Sequence, residues 1–312
     1  MALDILRIQH CNVNCSDLAR SVAFYRDFVG LDALFHTHPP LQDGGGFGMS
    51  GDVQWDAWMM HDGRGGGEDG SPAIDLLEWK RPGPVGRPYE PANHLGMFRI
   101  CFATPDIEAV HARALSLGVP CLSPPADVAI QSQHAASVRA LFTRDPDGTL
   151  VEFIEQPGSA GVRLLHVNVN CSDLARSRAW YENVLGLEVR GTSAPGPIPG
   201  APFGFEGDCD YEAAFLFAKG TPFAIDLLEW KRPAPVGRPY ASANHLGIYR
   251  MAFLVEDARA GADELRRMGV ACSEPVFLDM GPEIPVEGVW AVFFPDPDGT
   301  CLELIEAPII RG

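Results

Sequence analysis

The chain repeats itself, and the repeat limits what it can fold into more than any other feature. Gln9-His10-Cys11-Asn12-Val13-Asn14-Cys15-Ser16-Asp17-Leu18-Ala19-Arg20-Ser21 returns as Leu165-His166-Val167-Asn168-Val169-Asn170-Cys171-Ser172-Asp173-Leu174-Ala175-Arg176-Ser177. Ala73-Ile74-Asp75-Leu76-Leu77-Glu78-Trp79-Lys80-Arg81-Pro82 returns unchanged at residues 224–233. Asn93-His94-Leu95-Gly96 and Asp145-Pro146-Asp147-Gly148-Thr149 return at 244–247 and 296–300. The chain is therefore two halves of one design, joined near Gln156-Pro157-Gly158-Ser159-Ala160-Gly161. Each opening stretch reads as a strand entering a helix. A strand sends alternate side chains to opposite faces, so Cys11 and Val13 face a core while His10, Asn12 and Asn14 face something polar. Asp17 and Asp173 suit the helix N-cap.

A weaker repeat lies inside each half. Arg99-Ile100-Cys101-Phe102-Ala103-Thr104-Pro105-Asp106 restarts the strand–helix unit, with Arg99 as far before Asp106 as His10 is before Asp17. Arg250 stands in the same relation to Asp257. Helices are expected at about 17–29 and 106–117, where apolar residues recur on one stripe. The Asp-Pro-Asp-Gly runs read as turns between the last two strands. The chain thus reads as four βαβββ units in two pairs.

Composition narrows the partners. With 312 residues and 46% hydrophobic content, there is enough chain for two domains with real cores. A net charge of −17 argues against nucleic acid or an anionic membrane, which need basic surfaces. There is no apolar run of membrane-spanning length and no signal-peptide pattern, so a cytoplasmic protein is expected. Eight cysteines without a Cys-x-x-Cys pair read as free thiols. The expected partner is a small molecule, with the chain a monomer or homodimer.

The four units, the His-x-Asn-x-Asn strand entering a Ser-Asp-Leu helix start, and the Asp-Pro-Asp-Gly hairpin followed by Glu resemble the vicinal oxygen chelate superfamily. That group includes glyoxalase I, bleomycin-resistance proteins and extradiol dioxygenases. The resemblance implies an α+β fold: four βαβββ modules in two paired domains, 1–157 and 162–312, each a half-open β-cup with helices outside. It also implies a site in each half. The first would contain His10, Asp75, Arg99 and Glu152, and the second His166, Asp226, Arg250 and Glu303. By analogy the second half is the principal site. His10, Asp75 and Glu152, and His166, Asp226 and Glu303, would be the metal ligands, suited to Fe, Mn, Ni, Co or Zn. Glu303 or Glu152 would move a proton. Arg250 or Arg99 would hold a substrate carboxylate or oxyanion. Asn12 and Asn168 are candidate substrate contacts beside Arg250.

The two arginines depart from the family pattern, which places His, Gln or Glu there. A guanidinium cannot ligate a cation and repels one. The opposing reading is a cup without metal, closed by salt bridges of Arg99 with Glu152 or Asp75, and of Arg250 with Glu303 or Asp226. The corresponding functions are a metal-dependent glyoxalase-like lyase, isomerase or dioxygenase acting on a small carbonyl, enolic or phenolic compound, and a metal-free small-molecule binder of the bleomycin-resistance type. A third is an enzyme working with arginine and carboxylates alone.

Other residues carry plainer expectations. Glu78, Glu155, Glu229 and Glu306 should face away from the cup into solvent. His94 and His245 should hydrogen-bond the proline-rich connectors at 79–89 and 230–240, which Arg87 and Arg238 would tie down. His36 and His38 share a strand face, as metal ligands do. Thr192 and Ala194 replace them in the other half, so they read as surface histidines. Gly44-Gly45-Gly46 and Gly65-Gly66-Gly67 read as mobile loops over the first cup. Trp55, Trp58, Phe203, Phe205, Phe215 and Phe217 would line apolar walls or belong to the core.

Overall fold

The computed structural model describes residues 2–63, 71–130, 132 and 135–310; the glycine run at 65–67 lies outside these. The first unit has strands β1 (Arg7–Asn14), β2 (Asp32–Thr37), β3 (Gln42–Asp43), β4 (Asp52–His61) and β5 (Ala73–Arg81). Its helix α1 (Leu18–Ala23) continues as a π-helical turn, Phe24–Val29. The second unit has β6 (Gly96–Thr104), α2 (Ile107–Leu117), β7 (Ala126–Ala129), β8 (Ser137–Arg144) and β9 (Leu150–Glu155). The third has β10 (Arg163–Asn170), α3 (Leu174–Leu185), β11 (Glu188–Ser193), β12 (Ile198–Pro199), β13 (Asp208–Phe217) and β14 (Ala224–Arg232). The fourth has β15 (Gly247–Val255), α4 (Ala258–Arg267), β16 (Val276–Asp279), β17 (Val286–Pro295), β18 (Cys301–Glu306) and β19 (Ile309–Ile310). Four βαβββ modules, curled in two paired sheets, follow as expected.

The pairing of modules differs from the expectation that each half closes its own cup. One sheet runs β16-β17-β18-β15-β1-β5-β4-β2, and the other β11-β13-β14-β10-β6-β9-β8-β7. The first module therefore joins the fourth, and the second joins the third. The seams are antiparallel pairs, β1 with β15 and β10 with β6. We call these cup one and cup two. Local sequence sets each module but says nothing about which opening strand meets which, because all four edges present the same backbone groups.

Alternation places the core as the sequence suggests. Cys11, Val13, Ile74, Leu76, Met251, Phe253, Leu302 and Leu304 point from the convex face of cup one into one large core that also holds the helices. Asp17, Asp106, Asp173 and Asp257 cap the four helices, each accepting from backbone N–H groups two or three residues on. The second acids do more than face solvent. Glu78 accepts from Leu18 N–H at 2.9 Å, Glu155 from Ile107 at 3.2 Å, Glu229 from Leu174 at 2.8 Å and Glu306 from Ala258 at 2.9 Å. Each ties the last long strand of its module to the start of that module's helix, satisfying orphan donors.

The two connectors cross at the centre. Tyr89 stacks on Tyr240 at 3.9 Å, His94 on Tyr89 at 3.8 Å and His245 on Tyr240 at 4.1 Å. His94 and His245 are thus structural, stacking on the connector tyrosines while their Nδ1 atoms meet the carbonyls of Leu95 and Leu246. Arg87 and Arg238 are exposed; the ring stack and close packing hold the connectors instead. A Cβ on Gly86, at φ +72, would lie 2.0 Å from His245 Nε2, and one on Gly237 2.0 Å from His94 Nε2.

Two outcomes follow. Gly86→Ala meets both the imidazole and a left-handed backbone, so calorimetry should show a loss of roughly 2 kcal/mol, about 5 °C in Tm. Residues 1–157 and 162–312, produced separately, should fail to form stable monomers and should associate one-to-one when co-expressed. Light scattering that finds two independent folded monomers would contradict the seams.

Candidate functional site

Each cup floor is built from four strands meeting at a seam. In cup one, His10 comes from β1, Asp75 from β5, Arg250 from β15 and Glu303 from β18. Arg250 Nε donates to Glu303 Oε2 at 2.8 Å, and its Nη2 donates to Asp75 Oδ2 at 2.8 Å. His10 Nε2 is 3.5 Å from Glu303 Oε2. Cup two repeats this. Arg99 Nε donates to Glu152 Oε2 at 2.8 Å and its Nη2 to Asp226 Oδ2 at 2.7 Å. His166 Nε2 is 3.5 Å from Glu152 and 3.9 Å from Asp226. All eight residues are buried.

The grouping by half is thereby corrected. His10 and Asp75 meet Arg250 and Glu303, while His166 and Asp226 meet Arg99 and Glu152. The reason is the seam: each arginine shares a strand pair with the opening strand of a module from the other half. Neither half owns a site, so the assignment of a principal site to the second half has no structural counterpart. The amides of Asn12 and Asn168 donate to the backbone and side chain of Asp75 and Asp226. Both asparagines are fully buried and position the aspartates. Asn14 donates to the carbonyls of Ala243 and His245 and accepts from Trp79 Nε1, bracing the connector on the cup.

Electrostatics explain why this polar set tolerates burial. Burial alone would raise the Glu152 carboxyl, but Arg99 and the His166 contact outweigh it and hold its pKa at about 2. Glu303 is depressed in the same way, with Arg250 overcoming burial. Both guanidinium groups stay charged, raised by their carboxylates despite the cost of burial. With the imidazole neutral, each floor carries about −1. Among the eight floor residues, Arg250 Nη1 has no hydrogen-bond partner, His10 Nε2 has only its 3.5 Å approach to Glu303, and His166 Nε2 has only its 3.5 and 3.9 Å approaches to Glu152 and Asp226.

The space above the floors differs. In cup one a cavity of about 110 Å³ is lined by His10, Asp75, Arg250 and Glu303 below and by Phe35, Phe47, Trp55, Met59 and Met280 around it. Gly45–Phe47 is a packed turn that plugs the cup, with the Phe47 ring 5.3 Å from Trp79 and 5.0 Å from Phe293. The expected mobile glycine loop is instead a stopper. In cup two a cavity of about 60 Å³ reaches the floor among Tyr211, Phe215 and Ile130. A second cavity of about 640 Å³ also reaches Arg99, between Phe98, Phe142, Phe203 and Phe205. Gly46 is pressed on Val276 in cup one, where a Cβ would fall 2.5 Å away; Ala126 takes the matching ladder position in cup two and lines the larger cavity. Trp55, Phe203, Phe205 and Phe215 thus line cavities. Trp58 stacks on His36 on the outer face, and Phe217 lies under Arg190.

A family model described as the Glyoxalase/Bleomycin resistance protein/Dioxygenase superfamily matches residues 7–153 and again 163–304. The chain belongs to that superfamily. Glyoxalase I from Zea mays is similar in structure, with a TM-score of 0.67 and 18% identity over 96% of this chain and 92% of that one. A putative dioxygenase from Bacillus subtilis subsp. subtilis str. 168 has a TM-score of 0.61 and 15% identity over 99% of this chain and 87% of that one. At such identities the likeness concerns the fold. No curated protein matches the chain in sequence. Among the described residues no helix is long and apolar enough to cross a membrane.

A resident metal fits cup one poorly. His10, Asp75 and Glu303 would supply three donors, but a guanidinium already sits 2.8 Å from both carboxylates and would repel the ion. Cup two adds a donor, Cys101, two residues after Arg99 on β6 and so on the same strand face. Cys101, Glu152 and His166 bring ligand atoms within 4.8 Å of one another. Ala252 is the Cys101 counterpart in cup one. Burial, then the charge of Glu152, pushes the Cys101 thiol well above its usual range, so it would have to lose a firmly held proton to ligate.

The arginine bridges should dominate acid stability. Glu152 has a depressed folded pKa, so its contribution is fully present above the unfolded value near 4.5 and disappears as pH falls toward about 2. The shift corresponds to roughly 3 kcal/mol. Glu152→Gln should be destabilised by about that much near neutrality. Its deficit against wild type should shrink as denaturation is repeated at pH values between about 5 and 3.

Proposed function

We propose that the protein binds a small, mainly apolar molecule carrying one carbonyl, enolic or phenolic oxygen, and does so in cup one without a resident metal. The observation that carries this reading is the guanidinium of Arg250 held between Glu303 and Asp75, where a cation would otherwise gather the same carboxylates. Arg250 and His10 line the cavity, Nη1 of Arg250 has no hydrogen-bond partner, and Nε2 of His10 has only its 3.5 Å approach to Glu303. A buried N–H without an acceptor is costly, so an oxygen placed against Arg250 recovers that cost. His10 can donate to or accept from the same group, depending on tautomer.

Size limits the guest. An apolar cavity of about 150 Å³ holds a benzene ring, so 110 Å³ suits one small ring or a short chain. Trp55, Phe47 and Met59 supply apolar and aromatic contacts for it. The low pKa of Glu303 makes it a weak base near neutrality, which favours binding over proton abstraction there.

A second reading is catalysis with a divalent ion in cup two. The Cys101, Glu152 and His166 cluster is the observation that favours it, together with membership in a superfamily that contains dioxygenases. Lyase, isomerase and drug-sequestering activities remain narrower versions of these two readings.

Binding of small phenols and cyclic enones to metal-stripped protein, followed by Trp fluorescence, tests the proposal. Affinity should survive chelator and fall at least tenfold in Arg250→Met. The His166→Ala variant, altered only in cup two, should keep it. Binding that requires added metal, or that His166→Ala abolishes, would move the function to cup two.

A further inference from the structure

The larger cavity of cup two, about 640 Å³, falls in the range of pockets that enclose a whole small molecule, about 300–1,000 Å³. Its apolar wall is aromatic. Phe203 ends the turn Ala201–Phe203, Phe205 follows it, and both meet Trp230 edge-on, at 5.4 and 5.0 Å. Neither ring is fully buried. The matching turn of cup one, Gly45–Phe47, brings Phe47 to 5.0 Å from Phe293. In cup two the equivalent pair, Phe203 and Phe142, stands 6.5 Å apart. Rigid, half-exposed rings suit an aromatic guest.

Three charged residues line the same space: Arg99, Arg144 and Glu90. Arg99 is engaged by Glu152 and Asp226, and the floor they form keeps a charge of about −1. That floor repels an anionic group. Glu90 is exposed, where salt and water screen it. Arg144 is different. It ends β8, is half-buried, and is anchored by Nη1 donating to the carbonyl of Gly148 at 2.7 Å. Acids outnumber bases 41 to 24 in the chain, yet among the described residues no carboxylate pairs with Arg144. The acids that follow it in sequence are committed elsewhere. Asp145 Oδ1 accepts from the backbone of Asp147, Gly148 and Thr149, and Asp147 meets Ser16 and Arg20. A guanidinium held by one carbonyl keeps further N–H donors for a planar carboxylate. Pro295 stands in its place in cup one.

We propose that the outer cavity of cup two binds an aromatic carboxylate of about two fused rings, with the rings against Phe142, Phe203 and Phe205 and the carboxylate on Arg144. Volume sets the size: about 150 Å³ holds a single benzene ring, so 640 Å³ leaves room for two rings and their acid group. Charge sets the orientation, with a cation at Arg144 and a net negative floor beneath Arg99. The site is separate from the cup-one cavity, and its guest is larger and anionic.

2-Naphthoate and its uncharged analogue naphthalene-2-carboxamide, each titrated into the full-length protein by calorimetry, test this. Wild type should take up one equivalent of naphthoate, at least tenfold more tightly than the amide, and added salt should narrow that gap. Arg144→Met should weaken naphthoate at least tenfold and leave the amide unchanged, which also shows that the variant is folded. Phe205→Ala should weaken both guests. Arg250→Met, altered only in cup one, should bind naphthoate like wild type. Phenol binding in cup one should be the same in Arg144→Met, so either reading can fail alone. No uptake of naphthoate, or equal affinity for acid and amide, would overturn the proposal. So would naphthoate affinity that survives in Arg144→Met, or loss of acid and amide together in that variant. Naphthoate binding lost in Arg250→Met would move the guest to cup one and overturn the separate site.

Discussion

Two buried arginines organise the concave faces of this protein, and each draws its carboxylates from both halves of the chain. Arg250 pairs with Glu303 of its own module and Asp75 of the first; Arg99 pairs with Glu152 of its own and Asp226 of the third. A buried guanidinium is tolerable only when its donors are matched by nearby negative charge. The seams between β1 and β15 and between β10 and β6 are what bring that charge into reach. If the halves had closed separately, Arg99 would meet Asp75 and Arg250 would meet Asp226, the equivalent aspartates of their own halves.

The same seams divide labour between backbone and side chains. On the convex side the alternating apolar residues merge into one core with the helices. On the concave side smaller clusters around Trp79 and Trp230 support the floors. Asn14 and Asn170 reach from each opening strand to the connectors, so cup and connector are held as one piece. Near-identical floors thus lie under unequal walls, with a cavity of about 110 Å³ in cup one and cavities of about 60 and 640 Å³ in cup two. Val276 packs against the Gly46 turn in one cup, whereas Ala126 lines the larger cavity in the other.

Membership in a superfamily that contains glyoxalases and dioxygenases fixes the architecture and leaves the chemistry to the site. Here an arginine occupies the place where metal-using relatives are expected to present a ligand. In each floor the arginine sits between two acids and offsets one of their two negative charges. The same guanidinium overcomes the burial of Glu152 and Glu303 and keeps their pKa values low.

Much of this was legible in the chain itself. The repeats marked four modules, strand alternation put His10, Asn12 and Asn14 opposite Cys11 and Val13, and the aspartates before each helix announced their caps. Periodicity is a local property, and local contacts realise it. The eight floor residues were also named from their spacing and family resemblance, but grouped by half. Which module meets which is a non-local choice between equivalent strand edges, and no local pattern records it. Tertiary structure alone therefore decided that Asp75 answers to Arg250 and Asp226 to Arg99. It also decided that Glu78 and its three counterparts cap helices, because an odd step along a strand shows the face and not the neighbour. His36 and His38 make the same point: their shared strand face is visible in sequence, but the contact of His36 with Glu283 depends on the fourth module folding back over the edge of the first.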